Sequence, residues 1–136
     1  FRDPEALVRL NQIIHPKVSA EMARRLMEAL ETQPALVVLD IPLLFEGKKS
    51  GKGTASVIPF DATVLVWVPA DLQVERQMAR DACDEGEARR RMAAQLPIDE
   101  KRKLADFIID NAGTLEETRK QVEELFPTLC RLEVAN

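Results

Sequence analysis

Leu36-Val37-Val38-Leu39-Asp40-Ile41-Pro42-Leu43-Leu44-Phe45-Glu46 is the segment on which the reading of the chain turns. Four apolar residues run into Asp40, Ile41 and Pro42 follow, and three more apolar residues lead to Glu46. The run begins just after the helix-stopping Thr32-Gln33-Pro34. An unbroken apolar run with these bounds predicts a strand over Leu36–Asp40 with both faces buried. Such strands belong to parallel sheets covered by helices, whose ligands bind beyond the carboxyl ends of the strands. Asp40 and Glu46 fall at that end.

Working outward, Thr63–Val68 repeats the pattern and predicts a second strand, and Phe107-Ile108-Ile109 predicts a brief third one. Upstream, Leu10, Ile14, Val18, Met22, Leu26 and Leu30 recur at a spacing of four, an apolar helical stripe. Pro16 interrupts it, so one helix should end near Ile14 or His15 and another start at Pro16. Gly47–Pro59 reads as a polar loop rich in glycine and lysine. Pro69-Ala70-Asp71 should open a helix to about Asp81, followed by a charged helix ending near Gln95 and a short one from Pro97 through Leu104. Thr114 with Glu117 forms a capping box for the last helix. Strands alternating with amphipathic helices make the chain α/β with a parallel sheet.

At 136 residues, 46% apolar and 31% charged, the composition is that of a soluble globular domain or part of one. A net charge of −4 gives no general attraction to nucleic acid or to anionic membranes. Basic residues are nonetheless concentrated between Arg76 and Lys103, so one region could hold an anion. No apolar run approaches a membrane span and no signal peptide is visible. Cys83 and Cys130 have neither metal-ligand spacing nor the number for a disulfide scaffold, which makes a reducing cytoplasm the default location. Phe1 in place of Met hints that the chain begins inside a longer reading frame.

The chemistry offered by single residues is two-sided. Gly51-Lys52 invites a phosphate-loop reading, but Gly53 follows where Ser or Thr is needed and Glu46 stands where the first glycine belongs. A solvated loop is the better reading. Arg76 and Arg80 lie one helical turn apart, where like charges repel by about 0.2–0.5 kcal/mol. An anion between them would reverse that cost, and Arg89 and Arg90 could close from the next helix as a lid over polyphosphate. The other reading is a solvated face neutralised by Glu75, Glu85 and Glu87. His15, the only histidine, is either a structural residue at a helix break or part of a site. Asp40 could assist Mg²⁺ through water or cap the following turn. Leu43, Leu44 and Phe45 are either core or an apolar ligand wall beside Glu46, and Trp67 reads as core.

Taken in series, these segments resemble the dephospho-CoA kinase family. The resemblance starts at Asp3-Pro4-Glu5-Ala6-Leu7 and Leu10–Pro16, and continues through Asp40–Glu46 and Val64–Val68. Gln73–Asp81, Glu87-Ala88-Arg89, Ala93–Pro97, Lys101–Asp106 and Ile109–Gly113 follow in the family's order. The resemblance implies ATP-dependent phosphorylation of the ribose 3′-hydroxyl of dephospho-CoA, with Mg²⁺. It also implies a P-loop kinase-like three-layer fold, a parallel sheet with flanking helices and a helical lid at about residues 76–103. By position it assigns His15, Asp40, Pro42, Leu43, Leu44, Phe45 and Glu46 to the dephospho-CoA side. Arg76 becomes the lid arginine that reaches the phosphates, with Arg80 beside it as a second catalytic candidate. Arg89, Asn111 and Gly113 fall on the nucleotide side, and no protein metal ligand is assigned.

Two departures shape the expectation. No Gly-x-x-x-x-Gly-Lys-Ser/Thr loop occurs in the 136 residues, so the fold is expected to be incomplete and the chain alone inactive. The absent first strand would lie between Leu36–Asp40 and Thr63–Val68, leaving open strand edges and a monomer or weak homo-oligomer. The loop Gly47–Pro59 is also longer than usual for the family. The rival readings are a non-catalytic CoA-binding or protein-interaction module derived from a kinase, and a kinase of this fold with another nucleoside substrate.

Overall fold

The computed structural model describes residues 4–51 and 58–132, and the chain divides into two compact units, Phe1–Pro59 and Phe60–Asn136.

In the first unit a single helix, α1, runs from Pro4 to Glu31. The break expected at Pro16 does not occur. Proline removes the N–H that would bond the Gln12 carbonyl, but Gln12 to Val18 are all exposed. Water can take over that carbonyl, and the ring meets no packed neighbour. Exposed ion pairs support the later turns: Glu21 accepts from Arg24 at 2.8 Å and from Arg25 at 2.7 Å. The hydrogen bonds from Arg24 and then Arg25 lower the Glu21 pKa to about 2. The helix stops where the Thr32 hydroxyl donates to the Ala29 carbonyl at 2.8 Å and Gln33 turns the chain at φ 50.

The strand expected over Leu36–Asp40 is not formed. The segment is irregular, and Val38, in its middle, is 76% exposed. A strand is completed by its neighbour, because extended backbone leaves every N–H and C=O unpaired until another strand lies alongside. No described residue supplies that neighbour, so the apolar pattern alone does not make the ladder. A short helix, α2, spans Leu44–Ser50 and is closed by Gly51 at φ 63. The first residues of the expected polar loop are therefore helical, whereas residues 52–57 lie outside the described residues. Phe45 is the buried anchor of this segment.

The second unit holds the sheet. Strand β1, Val64–Trp67, pairs in parallel with β2, Phe107–Asp110, in the register Val64 with Phe107 through Trp67 with Asp110. Between them come α3 (Ala70–Asp81), α4 (Glu85–Ala93) and α5 (Ile98–Leu104), and α6 (Leu115–Leu129) follows β2. This is the expected α/β architecture, with strands shorter than the apolar runs by a residue at each end of β1 and longer by Asp110 in β2. Helix α5 packs on β1, α6 on β2, and α3 and α4 form a hairpin. Val74, Ala88 and Ile109 are the buried apolar residues of this unit among the described residues, and Thr63 and Lys101 the buried polar ones.

Local chemistry explains the helix ends. Pro69 and Pro97 stand immediately before α3 and α5 with φ −54 and −52, and a fixed φ of this kind is pre-set for a helix start. Asp84 caps α4 by accepting from the Glu87 amide at 2.7 Å. Short α5 carries Asp99 and Glu100 in its first turn and Lys101, Arg102 and Lys103 in its last, the order that suits the helix dipole. Buried Lys101 donates to Gln95 Oε1 at 3.4 Å.

Candidate functional site

The carboxyl ends of β1 and β2 carry a connected set of side-chain and backbone hydrogen bonds. The Asn111 amide donates to the Trp67 carbonyl at 2.8 Å, extending the ladder one residue past β2. Helix α3 begins three residues after Trp67, and Gln73 Nε2 donates to the Val68 carbonyl at 3.1 Å, tying its first turn to the strand end. Arg76, on the following turn, reaches back to Asn111. Its Nη2 donates to the Asn111 carbonyl at 2.9 Å and its Nη1 to Asn111 Oδ1. Asn111 Nδ2 in turn donates to Thr118 Oγ1 at 3.0 Å. Arg76 and Asn111, which the resemblance assigned separately to the phosphates and to the nucleotide side, are thus in contact.

The turn after β2 is fixed from both sides. Asp110 Oδ1 accepts from the Ala112 amide at 2.8 Å. Gln121 of α6 accepts from the Asp110 amide and donates to its carbonyl, both at 2.8 Å, doing with a side chain what a strand would do with backbone. The capping box of Thr114 and Glu117 is present. Glu117 Oε2 accepts from the Thr114 amide at 2.7 Å and its hydroxyl at 2.9 Å. The hydrogen bond from the Thr114 backbone, then that from its side chain, holds the Glu117 carboxyl below its usual range. Gly113 makes room for this arrangement, since a Cβ there would stand 2.2 Å from Glu117 Oε2.

Of the other arginines of the α3–α4 hairpin, Arg80, Arg89 and Arg91 pair with carboxylates, whereas exposed Arg90 meets none among the described residues. Arg80 binds Asp81 through Nε at 2.7 Å and Nη2 at 3.1 Å, and Arg91 Nη1 reaches the same carboxylate at 2.8 Å. The Arg80 hydrogen bond is the main reason the Asp81 pKa lies below its ordinary value. Arg89 pairs with Glu85 at 2.7 Å and extends to Asp71 of α3 at 3.6 Å. Trp67, expected as core, is half-buried. Its Nε1 donates to Asp99 at 3.1 Å, and the Arg102 guanidinium stands 4.7 Å from the ring centroid.

In the first unit, His15 is exposed on α1 and Asp40 is exposed at the end of the irregular segment. Pro42 and Leu43 are exposed, Leu44 and Glu46 half-buried and Phe45 buried. An open concavity of about 510 Å³ is lined by Lys17, Val18, Glu21, Met22 and Arg25 of α1 and by Val38, Leu39 and Asp40. Asp40 is the one candidate residue in that lining. His15 and Pro42–Glu46 are not part of it.

Two contributors were not singled out from the sequence. Thr118 stands one turn after Thr114, so the start of α6 places its hydroxyl beside the residues 110–113 turn, and this i, i+4 relation was the available signal. Gln121 carries no local signal, because its role depends on a strand end 11 residues away. Among the described residues no group of three His, Cys, Asp or Glu side chains could hold a metal ion. These residues therefore do not form a protein cage for the Mg²⁺ that the resemblance implies. Among the described residues no helix is long and apolar enough to cross a membrane.

Comparison with known proteins bears on this geometry. The family model described as dephospho-CoA kinase matches residues 1–117. The dephospho-CoA kinase of Syntrophotalea carbinolica is 47% identical over 130 residues, covering 95% of this chain and 58% of its own length. That of Bacillus licheniformis is 41% identical over 133 residues, covering 98% of this chain and 63% of its own. The solved structure of TT1252 from Thermus thermophilus superposes with a TM-score of 0.68 at 37% identity, over 95% of this chain and 62% of that one. The chain thus spans less than two-thirds of the length of each of these relatives. The matched region includes both the Asp40–Glu46 segment and the Arg76–Asn111 contact, and the chain belongs to the dephospho-CoA kinase family.

Proposed function

We propose that the protein transfers the γ-phosphoryl group of ATP to the ribose 3′-hydroxyl of dephospho-CoA, with this chain supplying the lid and substrate-binding parts. In that reaction the hydroxyl oxygen forms the new bond to phosphorus, the bond to the β-phosphate oxygen breaks, and ADP and the hydroxyl proton leave. There is little covalent chemistry for the protein to do, so rate comes from positioning and from neutralising phosphate charge. The observation that carries the reading is the Arg76–Asn111 contact at the carboxyl ends of parallel strands. Arg76 is held by a neutral amide at the strand ends, so its charge stays available to an anion there. Arg80, Arg89 and Arg91 are matched by carboxylates, and Arg90, also unmatched among the described residues, lies on α4 outside that contact.

On this reading Arg76 faces the phosphates. Arg80 and Arg89 keep the hairpin in shape through Asp81, Glu85 and Asp71 and contribute charge at longer range. Asn111 and Gly113 form the edge of the adenine site, with Gly113 required for the Glu117 cap. His15, Asp40 and the Pro42–Glu46 wall take dephospho-CoA. Mg²⁺ would arrive mainly with the nucleotide, since in such sites it is bound through one or two carboxylates and the phosphates.

The test is a coupled assay for ATP-dependent conversion of dephospho-CoA to CoA. The protein expressed from its complete reading frame should turn over, and the purified 136-residue chain, which contains no Walker A loop, should not. Absence of turnover by the complete protein would overturn the proposal. CoA binding by that protein without turnover would favour a non-catalytic binding module instead.

A further inference from the structure

We propose that Thr118 is a positioning residue that fixes the Asn111 amide so that its oxygen, and not its nitrogen, faces the Arg76 guanidinium. This rests on the reading of Arg76 as the phosphate-facing arginine.

The argument is a count of protons. The Thr118 hydroxyl has one hydrogen, and it donates to the Thr114 carbonyl at 3.2 Å. Toward Asn111 the same oxygen can therefore only accept. That requires Asn111 to present Nδ2 to Thr118, at 3.0 Å, and leaves Oδ1 turned to the Arg76 Nη1 group. The opposite rotamer would place an amide N–H₂ against a guanidinium, donor against donor, and would leave an acceptor facing a hydroxyl whose hydrogen is committed. Thr114, which holds the hydroxyl, is itself locked by Glu117 through its amide and its own hydroxyl. The chain from Glu117 through Thr114, Thr118 and Asn111 thus ends on the guanidinium of Arg76. Its second contact, Nη2 to the Asn111 carbonyl at 2.9 Å, makes the grip two-pointed and fixes the plane of the guanidinium.

The experiment uses the protein from its complete reading frame with Thr118→Val, which keeps shape and removes the hydroxyl, and Thr118→Ser, which restores it. Thr118→Val should lower kcat/KM for ATP about 5- to 10-fold, the effect of one lost neutral hydrogen bond, and Thr118→Ser should recover most of it. In an Arg76→Ala background Thr118→Val should cause no further loss, because the residue it positions is gone. An equal loss in both backgrounds, or a drop in Tm with no coupling to Arg76, would overturn the role. Side-chain amide NMR gives a readout independent of phosphoryl transfer. Thr118→Val should shift the Asn111 Nδ2 protons and speed their exchange with solvent, and unchanged signals would refute the proposal. If the wild-type protein lacks kinase activity, the functional reading fails while the NMR result still decides the role of Thr118.

Discussion

Thr63 and Asp106, 43 residues apart, close the amino-terminal ends of the two strands through one carboxylate oxygen. Asp106 Oδ2 accepts from both the amide and the hydroxyl of Thr63 at 2.7 Å. The Asp106 amide returns a bond to the Thr63 carbonyl at 3.1 Å, so backbone and side chains knit the same corner. Thr63 is buried, and its two donors have no water to turn to when the carboxylate is removed. Asp106→Ala should therefore destabilise the unit by about 2 kcal/mol, within the range for hydrogen bonds to a charged group. Asp106→Asn, which keeps an acceptor, should recover part of it. A lowered urea midpoint at unchanged slope is the expected signature.

Gly113 answers to a steric requirement of the cap behind it. Gly113→Ala would drive a methyl into the Glu117 carboxylate, which can escape only by leaving the Thr114 amide and hydroxyl. The expected loss is about 1 kcal/mol, that of a helix cap. The Asn111–Thr118 bond should loosen with it. Thermal unfolding of the variant checks the first effect, and the apparent ATP affinity checks the second.

Acid should weaken the same helix start. The Glu117 pKa is lowered in the folded chain from an ordinary value of 4.5. A depressed carboxylate gives stability that is present above its unfolded pKa and is lost as pH falls through its folded one. Urea midpoints should therefore fall as the solution is acidified below about pH 4.5. Glu117→Gln can still form a capping box but does not titrate, so it should lose less between pH 7 and pH 3 than the parent does. Equal losses would contradict the assignment.

Arg76 and Arg80 are neighbours on α3 with different partners, and they should separate in kinetics. Arg76→Ala should lower kcat/KM at least about 100-fold, the scale of losing one preorganised charge contact in a transition state. Arg80→Ala, which gives up a guanidinium already matched by Asp81, should lose less than about 10-fold. Both should melt close to the parent. A reversal of that order would move the phosphate contact to Arg80.

How much of this was legible depended on the range of the forces involved. The capping box at Thr114, the proline-led starts of α3 and α5 and the apolar runs at Val64–Trp67 and Phe107–Asp110 are short-range features, and all are present. Leu36–Asp40 failed as a strand because pairing belongs to two segments, and a sequence pattern describes only one. Pro16 failed as a break because the cost of a lost hydrogen bond depends on whether water can reach the orphaned carbonyl, and periodicity carries no information about that. At the candidate site, resemblance singled out Arg76 and Asn111, each by itself. That an amide rather than a carboxylate holds Arg76, and that Thr118 orients the amide, depends on contacts 35 and 7 residues apart in the chain.

Gln121 has a consequence for the sheet as a whole. Successive residues of a strand offer their backbone groups to opposite sides, and Phe107 and Asn111 donate toward β1. Ile108 and Asp110 therefore face the outer edge of β2, and the Gln121 side chain occupies both groups of Asp110. On the far side of β1 the corresponding groups of Val64 and Val66 meet no such plug among the described residues. The two edges of the sheet thus differ at their carboxyl ends: along β1 both outward-facing residues are open among the described residues, while on β2 Asp110 is closed by its own helix and Ile108 is not.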